Sequence, residues 1–200
     1  MLKPNRLIVK IILTSFFVFA GWGLIAPIFA LFITGEIRGG SLEFVGLAVG
    51  IHWIARAVCQ PFLAYRMDVV KGEQDDMVFL LNGTLISTVV PLMYLFAWDA
   101  WHIIMLEAIR GVGLAMVVPT LSGVLTRHVD KHWESYTWSL QNTAISFAAG
   151  FSAIFGGVIA GVLGFKVVFI IVSIIGAISM AVVYLTIKTD PWLRDGTEVD

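Results

Sequence analysis

Charge is what this sequence has least of: Asp, Glu, Lys and Arg make up 14% of its 200 residues, against about a quarter in ordinary soluble domains. Such a supply cannot cover a water-facing surface, which excludes a soluble globular domain. The net charge is -1 and the 13 Lys and Arg residues are dispersed, so there is no basic field to attract nucleic acid and no nucleic-acid partner is expected. Cysteine is nearly absent. With Cys59 alone, an intramolecular disulfide and a cysteine metal site are impossible. His128 and His132 have helical spacing but sit in a polar stretch without a cysteine or a second carboxylate beside them, so neither a metal nor a cofactor is expected. Catalytic patterns are missing too. Thr120-Leu121-Ser122-Gly123 lacks the first glycine of an intramembrane serine protease, and the aspartates are scattered through polar loops; no catalytic residue is assigned, and no enzyme is expected.

What is there is apolar: 58% hydrophobic residues and a mean hydropathy of +0.90. A transmembrane helix needs about 20 largely apolar residues, and six runs meet that length, at 11–35, 42–65, 77–98, 101–125, 135–163 and 167–187. The first follows Lys3, Arg6 and Lys10 but is too long for the apolar core of a signal peptide. Strands of a membrane barrel are about 10 residues of alternating polarity, which these runs are not. The expected fold is all-α: a bundle of six transmembrane helices forming one membrane domain, with the lipid bilayer as its first partner. Nine basic residues (Lys3, Arg6, Lys10, Arg66, Lys71, Arg127, Lys131, Lys188, Arg194) fall on one side of that bundle, and only Arg38 and Lys166 on the other. The bias puts both termini in the cytoplasm.

Polar residues inside the spans carry the functional expectation. Arg56, near the middle of the second run, would cost about 2.5 to 3.5 kcal/mol facing lipid. His52, Arg56 and Gln60 are spaced by four, which stacks them as a polar stripe on one helix face. This is either a substrate or ion pathway, or an interhelical ion pair; Glu107 is the obvious carboxylate, although Arg110 at i+3 can also take it. In the fifth run Ala148, Ser152 and Gly156 recur every four residues, with Gly157 beside them, a smooth ridge for close helix packing. Pro27, Pro61, Pro91 and Pro119 each remove a helix hydrogen bond and mark kinks.

The order of several motifs resembles one half of a major facilitator superfamily transporter, over nearly the whole chain. Ala64-Tyr65-Arg66-Met67-Asp68, followed by Lys71 and Gly72, resembles the inner loop after the family's second helix. Glu107-Ala108-Ile109-Arg110-Gly111-Val112-Gly113 is similar to its fourth-helix motif, with Glu107 standing at the family's arginine. Ala148, Ser152, Ala153, Gly156 and Gly157 resemble its fifth-helix glycine motif without the proline, and Gly164-Phe165-Lys166-Val167-Val168-Phe169 the opening of its sixth helix. Gly21-Trp22-Gly23 and the Lys71–Asp76 loop look like short six-span members found in bacteria.

The resemblance implies secondary transport of a small solute, of unspecified class, across a bacterial inner membrane. Glu107, Arg110, Arg56, His52, Gln60 and Trp22 become candidates for the substrate pathway, and Asp68, Lys71 and Arg66 for an inner gate. The family's cavity lies between two six-helix halves of one orientation, so a parallel homodimer is expected, or pairing with a second six-span protein. First and fourth helices would line the cavity, and second and fifth would make the seam. The alternative function is a non-transporting assembly partner, receptor or scaffold that keeps the fold.

Overall fold

A computed structural model describes residues 6–69 and 73–189 as seven helices: α1 (Arg6–Ile25), α2 (Phe29–Glu36), α3 (Leu42–Val69), α4 (Glu73–Tyr94), α5 (Ala100–His128), α6 (Glu134–Leu163) and α7 (Phe165–Thr189). Six are long and apolar enough to cross a membrane. The seventh arises because the first apolar run is broken. Pro27 has no N–H to donate, so the ladder is interrupted after Ala26 donates to Trp22, and it resumes with Phe32 donating to Ile28. Pro61, Pro91 and Pro119 lie inside α3, α4 and α5 without ending them. The helices overrun the apolar runs at several ends: α3 continues to Val69, α5 to His128 and α7 to Thr189. Charged residues are tolerated there because the last turns project past the apolar layer. At the third run the shift is toward the start, from residue 77 back to Glu73.

Two groups of three helices build the bundle. In one, α1 packs against α6 and α7; in the other, α5 packs against α3 and α4. The groups meet along α4 and α7, with a narrower contact between α1 and α5, and α2 lies against α3. The small-residue ridge of α6 is used inside the chain. A Cβ on Gly23 of α1 would lie 2.7 Å from the Ala149 carbonyl, and one on Gly156 would run into the Leu24 backbone. Ser152, half-buried, shares that contact, with its Cβ 3.0 Å from a Cβ added to Gly23; Ala148 is buried, whereas Gly157 faces open space.

Two apolar clusters fill the ends. Ile25, Phe29, Phe32, Tyr94, Ile103 and Phe169 centre one, and Leu7, Ile11, Met77, Leu80, Leu121 and Leu125 the other. The Arg38 and Asp99 turns meet at the first end, where Arg38 donates its N–H to the Trp98 carbonyl at 3.0 Å. At the opposite end Lys10 donates to the Thr189 hydroxyl at 2.9 Å. Between the clusters lies a polar layer. Ser15, Thr84, Thr88 and Ser173 return their hydroxyls to carbonyls four residues back, which satisfies them without water.

Candidate functional site

The largest polar group in that layer surrounds Glu107, one of only two charged residues inside the fourth apolar run. Its helix, α5, starts where the Asp99 carboxylate accepts from the Trp101 N–H at 3.0 Å, a side-chain cap on the first turn. Glu107 and Arg110 then lie one turn apart on the same face. The Arg110 Nε is 3.0 Å from both Glu107 carboxylate oxygens, and a terminal nitrogen is 2.5 Å from Oε2. The Tyr94 hydroxyl, from the end of α4, donates to Glu107 Oε1. His52 of α3 brings Nδ1 within 3.3 Å of Oε2. Trp22 of α1 completes the set: the Arg110 guanidinium carbon lies 3.5 Å from its ring centroid, and the His52 ring is parallel to it, 7° off, at 6.3 Å.

Glu107 is 0% exposed, Tyr94 1%, His52 4% and Arg110 5%, so each charge here is answered by protein. That is the condition under which a buried ion pair is tolerable. The guanidinium on an indole face adds a cation–π contact. The cluster pins α5 to α3 and α4, and through Trp22 it reaches α1 in the other helix group. Beside it is a cavity of about 50 Å³ lined by Trp22, Thr84, Ser87, Pro91 and Arg110 among others. Small-molecule pockets measure about 300–1,000 Å³, so a solute does not fit there.

The expected polar stripe does not stay together. His52 turns inward to Glu107, while Arg56 donates through Nε to Gln60 Oε1 at 3.1 Å and lies 5.1 Å from the Trp53 ring centroid. The cause is helical drift: with 3.6 residues per turn, each step of four rotates about 40°, so Gln60 is turned about 80° from His52. The ion pair open to Glu107 is resolved in favour of Arg110, and Arg56 has no part in it. Arg56 and Gln60 instead border an open groove with Trp53, Ala57, Pro61 and Ala64.

Asp68 and Arg66 are exposed on the last turns of α3, and Lys71 lies outside the described residues. The buried carboxylate at this end is Asp76, which pairs with Arg127. The sequence places Asp76 in a polar loop; the start of α4 at Glu73 puts it in the first helical turn, facing inward. Tyr94 is the other residue the sequence reading passed over, although its spacing of four from Val90 on an apolar helix face signals burial. Among the described residues no group of three His, Cys, Asp or Glu side chains is placed to hold a metal.

The sequence model of the Major Facilitator Superfamily matches residues 11–198. Among solved structures, the chain is similar to the POT family transporter PepTSo, with a TM-score of 0.76 at 16% identity. The likeness covers 94% of this chain and 38% of that transporter's length. No curated protein matches.

Proposed function

The chain belongs to the major facilitator superfamily, and from that premise we propose that it is one six-helix bundle of a secondary transporter that carries a small solute by alternating access. The observation that carries this reading is Arg110 lying over Trp22, a charged contact inside the span at the junction of the two helix groups. Intramembrane ionisable residues are rare and mark pathways. Because the 50 Å³ cavity beside the cluster is too small for a solute, the transported molecule lies at the face of the bundle, between it and a second bundle.

That second bundle is another copy in parallel orientation, or a second six-span segment. The uncovered faces of α3 and α6 support it. They are apolar at Phe62 and Phe155 but carry the half-buried Arg56 and Gln60 on α3, and the exposed Ser139, Asn142, Thr143 and Ser146 on α6. Polar side chains of this kind face protein or water rather than lipid. In the membrane both termini lie in the cytoplasm, the side favoured by nine of the eleven basic residues outside the spans; the membrane is a bacterial inner membrane. Asp68, with Arg66 and Lys71, acts at the inner gate.

A flux assay on the purified protein in liposomes tests the reading, with amino acids, sugars, nucleosides and dyes as the panel. Uptake of at least one class is expected, and Asp68→Asn should reduce it while membrane insertion stays intact. No flux, together with an assembly that encloses no central cavity, would replace transporter by scaffold.

A further inference from the structure

Arg56 is the charge that the fold leaves unanswered. It lies well inside α3, 14 residues from Leu42 and 9 from Tyr65, where the apolar run ends, and the nearer boundary is therefore about 14 Å away along the helix. An arginine side chain does not span that distance, so it cannot snorkel to a headgroup. Its one hydrogen bond goes from Nε to the neutral Gln60 amide. Among the described residues no carboxylate pairs with it; Glu107 is fully committed to Arg110, Tyr94 and His52. A second copy would not supply one either. In sequence, every acidic residue other than Glu107 lies between the helical spans, at their ends or after the last of them.

We infer that Arg56 is an oxyanion subsite, and that the solute carried by this protein bears a carboxylate or phosphate group. The guanidinium's terminal N–H donors match the geometry of such a group bidentately. Gln60 holds the guanidinium through Nε, which leaves the terminal nitrogens for the ligand. Trp53, 57% exposed, lies beside the guanidinium and offers an apolar wall for the rest of the solute. The proposal rests on the reading of the α3 face as part of the transport pathway.

The test uses the full chain in nanodiscs of neutral lipid, with inorganic phosphate and citrate as probes against sodium chloride at matched ionic strength. At a few times its Kd, a bound anion should raise the Tm of a protein this size by about 2 to 4 °C. Both anions also stabilise proteins generally by exclusion from the surface, so the readout is the difference between wild type and Arg56→Gln. The variant should lose the specific rise, and Arg56→Lys should keep part of it. Equal rises in wild type and Arg56→Gln, or none in either, would overturn the proposal. If Arg56→Gln does not fold, equilibrium binding of radiolabelled phosphate and citrate to the wild type decides: binding of neither overturns it, and saturable binding weakened in Arg56→Lys supports it. An Arg56-dependent rise on adding phosphatidylglycerol in place of the probes would assign the oxyanion to a lipid headgroup and overturn the solute. The transport reading fails separately. Anion binding without flux of any solute leaves the subsite and removes transport, whereas flux of neutral solutes without anion binding does the reverse.

Discussion

At the residue scale the molecule separates its two membrane-embedded arginines by what answers them. Arg110 has a carboxylate in bidentate reach and an aromatic face; Arg56 has an amide and the Trp53 ring but no carboxylate. For Glu107 this dictates a large cost of change. Glu107→Gln leaves the buried Arg110 without a counter-charge, and removing one member of a buried pair costs about 3 to 5 kcal/mol. Replacing both, as Glu107→Leu with Arg110→Met, should lose less, because the uncompensated charge is gone and only neutral groups, the Tyr94 hydroxyl and the His52 ring, lose their partner. Thermal unfolding in detergent measures both. A double variant no more stable than Glu107→Gln would mean that the cluster is held by packing around Trp22 rather than by charge. The sequence carried four members of this cluster, Trp22, His52, Glu107 and Arg110, because ionisable and aromatic residues stand out in apolar runs. It did not carry Tyr94, an aromatic among aromatics, whose role depends on which way α4 is rotated.

At the scale of the helices, close approach is set by glycine. Gly111 of α5 meets α3: a Cβ there would run into the His52 carbonyl and lie 3.1 Å from the Ala55 Cβ. Gly83 of α4 and Gly113 of α5 form a second such contact, with 2.6 Å between an added Cβ on Gly83 and the Gly113 carbonyl. Backbone cannot give way as a flexible side chain can, so Gly111→Ala should destabilise by about 1 to 3 kcal/mol and shift His52 from Glu107. Gly50 of α3 has nothing within 4 Å. Gly50→Ala should be neutral or stabilising by up to about 1 kcal/mol, the difference in helix propensity. Chemical or thermal unfolding of the pair compares a glycine needed for packing with one that is not. Charge at the helix ends follows the same logic of position. Asp76 is in the first turn of α4 and Arg127 in the last turn of α5, so each favours its own helix dipole, and the antiparallel packing of α4 on α5 brings them together. Such a pair is not visible in spacing, since 51 residues separate its members.

For the whole molecule, the number and order of the spans were legible because lipid admits so few solutions: long apolar runs in a chain this poor in charge become helices. Which helix touches which was not legible. The ridge of Ala148, Ser152 and Gly156 announced close packing without naming its partner, and the partner is α1 of the same chain. That finding sharpens the proposed assembly. The α6 surface left for a second bundle is the opposite one, with Phe147, Phe151, Ile154 and Phe155 each more than half exposed. Cysteines placed at Phe151 of α6 and Ile54 of α3, in separate copies, should therefore crosslink in native membranes, whereas a cysteine at Ala148 should not. An exclusively monomeric product from the first pair would sink the homodimer.

Gly164 sits alone between α6 and α7, at a φ of 83° that side-chain-bearing residues rarely adopt, and donates its N–H to the Ala160 carbonyl. One residue is too short a tether to let the adjoining ends of the two helices part. Their far ends, at Glu134 and Thr189, have no direct covalent link to each other and lie about 40 Å of helix from that tether. The pair is thus joined like the legs of a compass, with its pivot at the end opposite Lys10, and it is the packing of α1 on both legs that sets the angle between them: a few degrees there correspond to several ångströms where the loop from α5 enters α6.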